Sequence, residues 1–243
     1  MSLSVQGKTV IVTGAAAGIG LAIARHFLDK GANVMCADID EVRLENECGE
    51  EARTEGALRY FGGDLRERLT IANLLSATHD AFDRVDVLVN AARLFALSDP
   101  LDAGHDQVEL MLQYNLLSSL RLSQMTAKRM IATAEKAGQT GPIGCIINLS
   151  STAAMLTQPE LLGYSISSAA VDQMTRSLAL ALAPKGIRVN AVAFASVMSA
   201  SLQVQIKESD DHDRLFSNLM GDLVEPRREF IQENALSVAN LDV

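Results

Sequence analysis

The sequence predicts a single α/β domain built on a doubly wound parallel sheet with helices on both faces, and three observations near its start carry that expectation. Val10, Ile11 and Val12 form a β-branched run without polar alternation, the pattern of a strand buried on both faces of a parallel sheet. Glycines follow at once at positions 14, 18 and 20, and the chain then takes up the apolar spacing of a helix. A second apolar run, Val34 to Ala37, ends in an acid, Asp38.

Length and composition agree with one domain over residues 1–243. A chain of 243 residues and 26.0 kDa, 48% hydrophobic, has room for one full core. A formal charge of -9 and a pI near 4.9 argue against nucleic acid or an anionic membrane as partner, since both need a basic face. Three cysteines, Cys36, Cys48 and Cys145, have unrelated spacings without metal-ligand pairing, which fits a reducing cytoplasm. Met1 to Thr9 lacks the basic-then-apolar order of a secretion signal, and no apolar stretch reaches the length of a membrane span.

Lys8 to Gly20 is the stretch that points to a ligand. Gly14 can turn the backbone, Gly18 leaves room for a phosphate, and Gly20 lets the helix lie close on the sheet. The helix N-terminus then offers a pyrophosphate free N–H groups and a positive dipole end. The segment Thr13-Gly14-Ala15-Ala16-Ala17-Gly18-Ile19-Gly20 resembles the cofactor signature of the short-chain dehydrogenase/reductase family, and the likeness covers roughly residues 5 to 200. It implies a Rossmann-type fold, a nicotinamide cofactor, and a small-molecule alcohol or carbonyl as partner. The fatty-acid type of 3-oxoacyl reductase is the nearest overall likeness.

The next elements build the adenosine end. Ile19 to Lys30 places Ile19, Ile23, Phe27 and Leu28 on one helical face, and Gly31 stops the helix. Asn33 to Asp38 is the second strand. Asp38 follows Gly20 by roughly the distance at which an acid accepts hydrogen bonds from an adenosine ribose, or else it joins Asp40 in capping the helix from Glu41. A carboxylate there repels a 2′-phosphate and Ala17 offers no cation for one, so NAD is favoured over NADP. A charged helix spans Glu41 to Glu55, and a third strand spans Ala57 to Phe61. Asp64 and Leu65 open the next helix; the resemblance gives them the adenine ring, and a helix cap is the other reading. Val85 to Asn90 is the fourth strand. By resemblance the cofactor-binding positions are Gly14, Gly18, Ile19, Gly20, Asp38, Asp64, Leu65, Asn90 and Val197.

The nicotinamide end departs from the family pattern. Where the family shows Asn-Asn-Ala-Gly, this chain reads Asn90-Ala91-Ala92-Arg93, so a long guanidinium must either swing out to solvent or enter the site. Asp106 to Lys136 is a long helix, apolar on more than one face in its middle, as expected of a helix covered on both sides; the sheet takes one side, and the resemblance gives the other to the same helix of a second subunit. Asn115 within it matches the family's active-site asparagine, which supports a proton-relay water; alternatively it satisfies local backbone. Ile143 to Ser150 is the fifth strand. Tyr164 lies thirteen residues beyond Ser151, the separation of the family's catalytic serine and tyrosine. Hydride transfer at a carbinol carbon requires the hydroxyl proton to move too, so Ser151 would orient the oxygen and Tyr164 would exchange its proton.

The family motif continues Y-x-x-x-K, whereas this chain reads Tyr164-Ser165-Ile166-Ser167-Ser168. An unperturbed phenol is only ~0.1% ionised at pH 7. A cation about 4 Å away would be worth on the order of 4 kcal/mol at an effective dielectric near 20. Its loss predicts a rate penalty of roughly two to three orders of magnitude, unless Arg93 replaces the charge from another strand. Ala169 to Ala183 is an apolar helix and Ile187 to Val192 the sixth strand. Phe194 and Ala195 then replace the family's Pro-Gly, while Val197 and Ser199 fit. Beyond about Gln205 the resemblance fades into an atypical segment, with a helix around Leu215 to Leu223.

Two readings follow. The first is an NAD-dependent oxidoreductase interconverting a secondary alcohol and a carbonyl, weakened at its catalytic end and assembled as a homo-oligomer. The second is a non-catalytic subunit that pairs with a competent related chain.

Overall fold

A computed structural model describes residues 4–52, 56–156 and 158–194. Val197, the helix expected around Leu215 to Leu223 and the atypical segment from about Gln205 lie outside the described residues. Six strands, β1 (Thr9–Thr13), β2 (Asn33–Asp38), β3 (Leu58–Gly62), β4 (Val87–Asn90), β5 (Gly144–Ser151) and β6 (Ile187–Phe194), form one sheet in the order β3-β2-β1-β4-β5-β6. Every pairing is parallel. The chain winds outward from β1 to β3, crosses back, and winds the other way from β4 to β6. The strand order therefore reverses between β1 and β4, and a crevice opens there at the carboxyl ends of the strands.

The two faces carry separate cores. Val10 and Val12 of β1 pack with Val34, Cys36 and Val89 against Ala24, Ile19, Ile23 and Phe27 of α1 (Gly18–Asp29) and against Leu44 and Cys48 of α2 (Glu41–Ala52). Ile11, between them in sequence, points the other way and packs with Met35, Leu88 and Ile146. That second core is covered by α3 (Arg68–Phe82) and by α5 (Ser118–Lys136), with Leu178 and Leu182 of α6 (Leu162–Leu182) at its edge. The period-two reversal of side chains along a strand thus explains why an unbroken apolar run is needed.

The expected elements are present with shifted ends. α3 begins at Arg68, four residues after Asp64, and β4 begins at Val87 rather than Val85. The long helix before β5 consists of α4 (Val108–Met111), a π-helical turn over Leu112–Leu117, and α5. The helix expected from Ala169 starts earlier, so Tyr164 stands in its first turn. Among the described residues no helix is long and apolar enough to cross a membrane.

Two close approaches fix the crevice. Gly14 has φ +66, and a Cβ on it would lie 2.8 Å from Cα of Ala92. On Gly20 a Cβ would lie 2.1 Å from the Gly14 carbonyl oxygen, so α1 sits against the turn that feeds it. Because backbone lies on both sides of that contact, Gly20→Ala is expected to cost about 3 kcal/mol of unfolding free energy; urea denaturation checks this, and an unchanged midpoint would contradict the packing.

Candidate active site and cofactor cleft

The glycine turn is tied to both neighbouring strands. Thr13 Oγ1, at the end of β1, accepts the N–H groups of Ala91 and Ala92, each at 3.0 Å, and so draws the loop after β4 over the turn. On the other side Ala15 N–H donates to the Ala37 carbonyl at 3.2 Å. Asp38 Oδ2 accepts Ala16 N–H at 3.0 Å and its Oδ1 accepts Asp40 N–H at 3.1 Å. The helix-capping role belongs to Asp40, whose Oδ1 accepts Arg43 N–H at 3.0 Å. Asp38 is thereby held at the crevice with oxygen lone pairs to spare.

α1 begins at Gly18, which has φ +53, and no side chain caps it and no acid stands in its first turn. Its leading N–H groups thus lack a side-chain partner and face the crevice end of the sheet. Uncapped helix dipole, close-packed glycine turn and ribose-height carboxylate together fit a dinucleotide, and Ile19 closes the turn by packing into the α1-side core.

At the edge of this cleft Asp64 and Leu65 occupy a loop. Leu65 packs against the α3-side core. The Asp64 carboxylate takes Arg66 in a two-pronged pair, Nε at 2.9 Å and Nη2 at 2.5 Å. The Arg66 guanidinium beside it holds the Asp64 carboxyl below the usual carboxylate range. Arg66 also lies over the Tyr114 ring, 4.1 Å from its centroid, and Arg121 donates to its carbonyl at 3.0 Å. The expected helix cap at Asp64 is therefore corrected: the carboxylate organises a loop that leans on the π-turn.

Asn90 does not turn its side chain to the cleft. Its Nδ2 donates to Ser123 Oγ at 2.9 Å and to Asn148 Oδ1 at 2.8 Å. Asn148 in turn donates to Thr175 Oγ1 at 2.9 Å, so a buried polar seam joins α5, β4, β5 and α6 beneath the site. Both amide hydrogens of Asn90 are thereby spent within the seam. Asn115, in the π-turn, is likewise spent: its Oδ1 accepts Leu94 N–H at 2.7 Å, and its Nδ2 donates to the Leu94 carbonyl at 2.9 Å and to Ser167 Oγ at 3.1 Å. Ser167 Oγ passes its own proton to the Tyr164 carbonyl at 3.0 Å. Asn115 thus fastens the loop after β4 to the start of α6.

Ser151 and Tyr164 are both buried at this edge. Ser151 ends β5, and its Oγ accepts Ala153 N–H at 3.2 Å, which leaves its hydroxyl proton free to donate. The Tyr164 ring meets Phe95 edge to face at 5.0 Å between centroids, and the Arg93 guanidinium lies 4.9 Å from its centroid. Arg93 enters the site rather than solvent. Its Nη1 donates to the Leu149 carbonyl at 2.8 Å and its Nη2 to Ser168 Oγ at 2.6 Å. Burial pulls the guanidinium below its ordinary range, with Tyr164 and Asp172 acting the other way. Thr13, Arg66, Phe95 and Ser167 hold the site together without having been singled out in sequence; each is an ordinary residue whose importance comes from what the fold sets beside it.

A family model described as short chain dehydrogenase matches residues 8–210. The chain is 35% identical over 192 residues to the short chain dehydrogenase/reductase dpchG of Colletotrichum higginsianum, across 79% of this chain and 69% of that protein. It is 30% identical over 187 residues to the D-threitol dehydrogenase of Mycolicibacterium smegmatis, across 77% and 69% respectively. Among solved structures, the 3-ketoacyl-(acyl-carrier-protein) reductase from Brucella melitensis complexed with NADH matches with a TM-score of 0.73 at 26% identity, covering 84% of this chain and 82% of that one. The chain belongs to the short chain dehydrogenase family, a family of oxidoreductases.

Removing the clamp tests the geometry. Asn115→Ala takes the partner from the part-buried N–H and carbonyl of Leu94 and a donor from Ser167 Oγ, and is expected to cost about 2–4 kcal/mol in chemical denaturation; a loss below about 0.5 kcal/mol would contradict the clamp.

Proposed function

We propose that the chain is an NAD(H)-dependent oxidoreductase that interconverts a secondary alcohol and the corresponding carbonyl. The observation that carries this reading is the enclosure of Ser151 and Tyr164 together at the carboxyl edge of β5 and the first turn of α6, beside the crevice where the strand order reverses. NAD(H) bound in that crevice would supply the hydride acceptor or donor.

The chain's own residues do the rest. Ser151 donates its free hydroxyl proton to the substrate oxygen and fixes its direction. Tyr164 takes the alcohol proton in oxidation and returns it in reduction, acting as general base and acid at its phenolic oxygen. Asn115 positions the 93–95 segment that encloses the Tyr164 ring. Asp38, with both carboxylate oxygens already oriented by backbone N–H groups, accepts from the adenosine ribose and repels a 2′-phosphate. The alternative, a non-catalytic subunit, drew on the loss of charge at position 168; a guanidinium bonded to Ser168 supports the enzyme reading.

The named relatives act on a polyol and on a 3-ketoacyl group, so the substrate search begins with four-carbon polyols and 3-ketoacyl thioesters. Turnover of one of these with NAD(H), lost by at least about a hundredfold in Tyr164→Phe, is the expected result. Wild type that binds NADH but turns over no such substrate, while co-purifying with a related dehydrogenase chain, would favour the non-catalytic subunit. For the cofactor, calorimetry is expected to show NADH bound at least about tenfold more tightly than NADPH, with Asp38→Ala narrowing that margin. A wild-type preference for NADPH would contradict the role given to Asp38.

A further inference from the structure

Arg93 is an expensive feature for a protein to keep. Burying a guanidinium is costly unless its five N–H donors and its charge are met. Here two donors are met, by the Leu149 carbonyl and Ser168 Oγ, and the charge faces a tyrosine π-system. No carboxylate hydrogen-bonds or ion-pairs with it among the described residues, and its Nε is sealed from solvent without a hydrogen-bond partner. That Nε–H is closed to any ligand, so the unspent donors a ligand could meet are the second N–H groups of Nη1 and Nη2.

Its position says what would use them. Arg93 follows directly on Ala91 and Ala92, whose N–H groups are drawn onto Thr13 and whose backbone presses on Gly14. The guanidinium thus reaches from the loop after β4 to the end of β5 and the first turns of α6, beside the Tyr164 ring. Ser168 lies one helical turn after Tyr164 on the same face of α6 and is fully buried. Its small side chain leaves the space that the guanidinium enters, and its hydroxyl fixes one prong of the fork. A long side chain from α6 in place of Ser168 would collide with Arg93, so the two residues make sense only as a pair. Leu94, the next residue, is held at both its N–H and its carbonyl by Asn115, which fixes the backbone from which Arg93 reaches inward.

We propose that Arg93, seated on Ser168, is the cation of this site: it positions the Tyr164 ring and donates its unspent N–H groups to the hydroxyls of the nicotinamide-side ribose of a bound dinucleotide. The charge that position 168 lacks comes instead from the loop after β4. This rests on the dinucleotide reading above and adds which residue grips the second ribose. Arg93 is a positioning residue, since it moves no proton and exchanges no electrons.

The test compares NADH with ADP, which shares the adenosine end and lacks both the nicotinamide and its ribose. Calorimetry is run with both ligands on wild type, Arg93→Met, and the paired variant Arg93→Gly with Ser168→Lys, each checked for folding by thermal melting. Wild type is expected to bind NADH about tenfold more tightly than ADP. Arg93→Met should lose that margin while keeping its ADP affinity, and the paired variant, which returns a cation from α6, should recover it. Arg93→Met that binds NADH as tightly as wild type, or more tightly, overturns the inference, the latter because it would make Arg93 an obstruction. Wild type that binds both ligands equally also overturns it and leaves the dinucleotide reading standing. Wild type that binds neither overturns both. Should Arg93→Met fail to fold, the paired variant decides: a recovered margin supports the inference, and its absence overturns it.

Discussion

The close approach of Gly14 to Ala91 and Ala92 sets the geometry on which every ligand-facing feature of this molecule depends. Two strands that run side by side in the sheet, β1 and β4, send their following segments to opposite faces, and between those segments only backbone fits. Thr13 Oγ1 holds the approach closed by accepting both alanine N–H groups. From that point one half extends through Ala16 to Asp38, and the other extends through Arg93 to Tyr164. A side chain at position 14 would push the two halves apart and misalign both.

The halves are stiffened by different means. The half with Asp38 rests on backbone hydrogen bonds and a packed apolar core. The half with Tyr164 rests on buried polar groups that must be paired to be tolerated. Asn90, Asn148, Ser123 and Thr175 form a seam in which donors and acceptors meet, and Asn115 spends both of its amide hydrogens and its oxygen on Leu94 and Ser167. Arg93 is the member whose pairing is incomplete. Its guanidinium is half-buried and feels Asp172 as an opposing charge, and a partly paired charge held beside a tyrosine costs stability. Such a cost is characteristic of a site that binds or reacts.

Much of the fold was legible in the sequence because its signals are local. Asn33–Asp38 is read to the residue from an apolar run that ends in an acid, and the glycine turn from its spacing together with the strand before it and the helix after. The start of α3 was misread because Asp64 looks like a cap, while its carboxylate is drawn to Arg66 by a pairing that spacing does not reveal. The π-turn was invisible for a related reason: a helix apolar on several faces has the same composition whether its hydrogen bonds skip four residues or five. In the site, residue types were legible and their partners were not. Asn90 and Asn115 were singled out by resemblance for roles that their side-chain bonds now qualify. Arg93 and Ser168 each read as damage when taken singly, and their compensation spans 75 positions of sequence, a separation across which only the folded chain brings a guanidinium to a hydroxyl.

Taken together, the cleft combines a dinucleotide cradle with a serine and tyrosine pair served by a displaced cation. The crystal structure of the wild-type protein with NADH tests this most directly. The account predicts that the guanidinium of Arg93 keeps Ser168 Oγ and stands within hydrogen-bond distance of a hydroxyl of the nicotinamide-side ribose, with Tyr164 and Ser151 facing the same open space. A complex in which Arg93 is expelled to solvent, or in which NADH occupies some other surface, would contradict it.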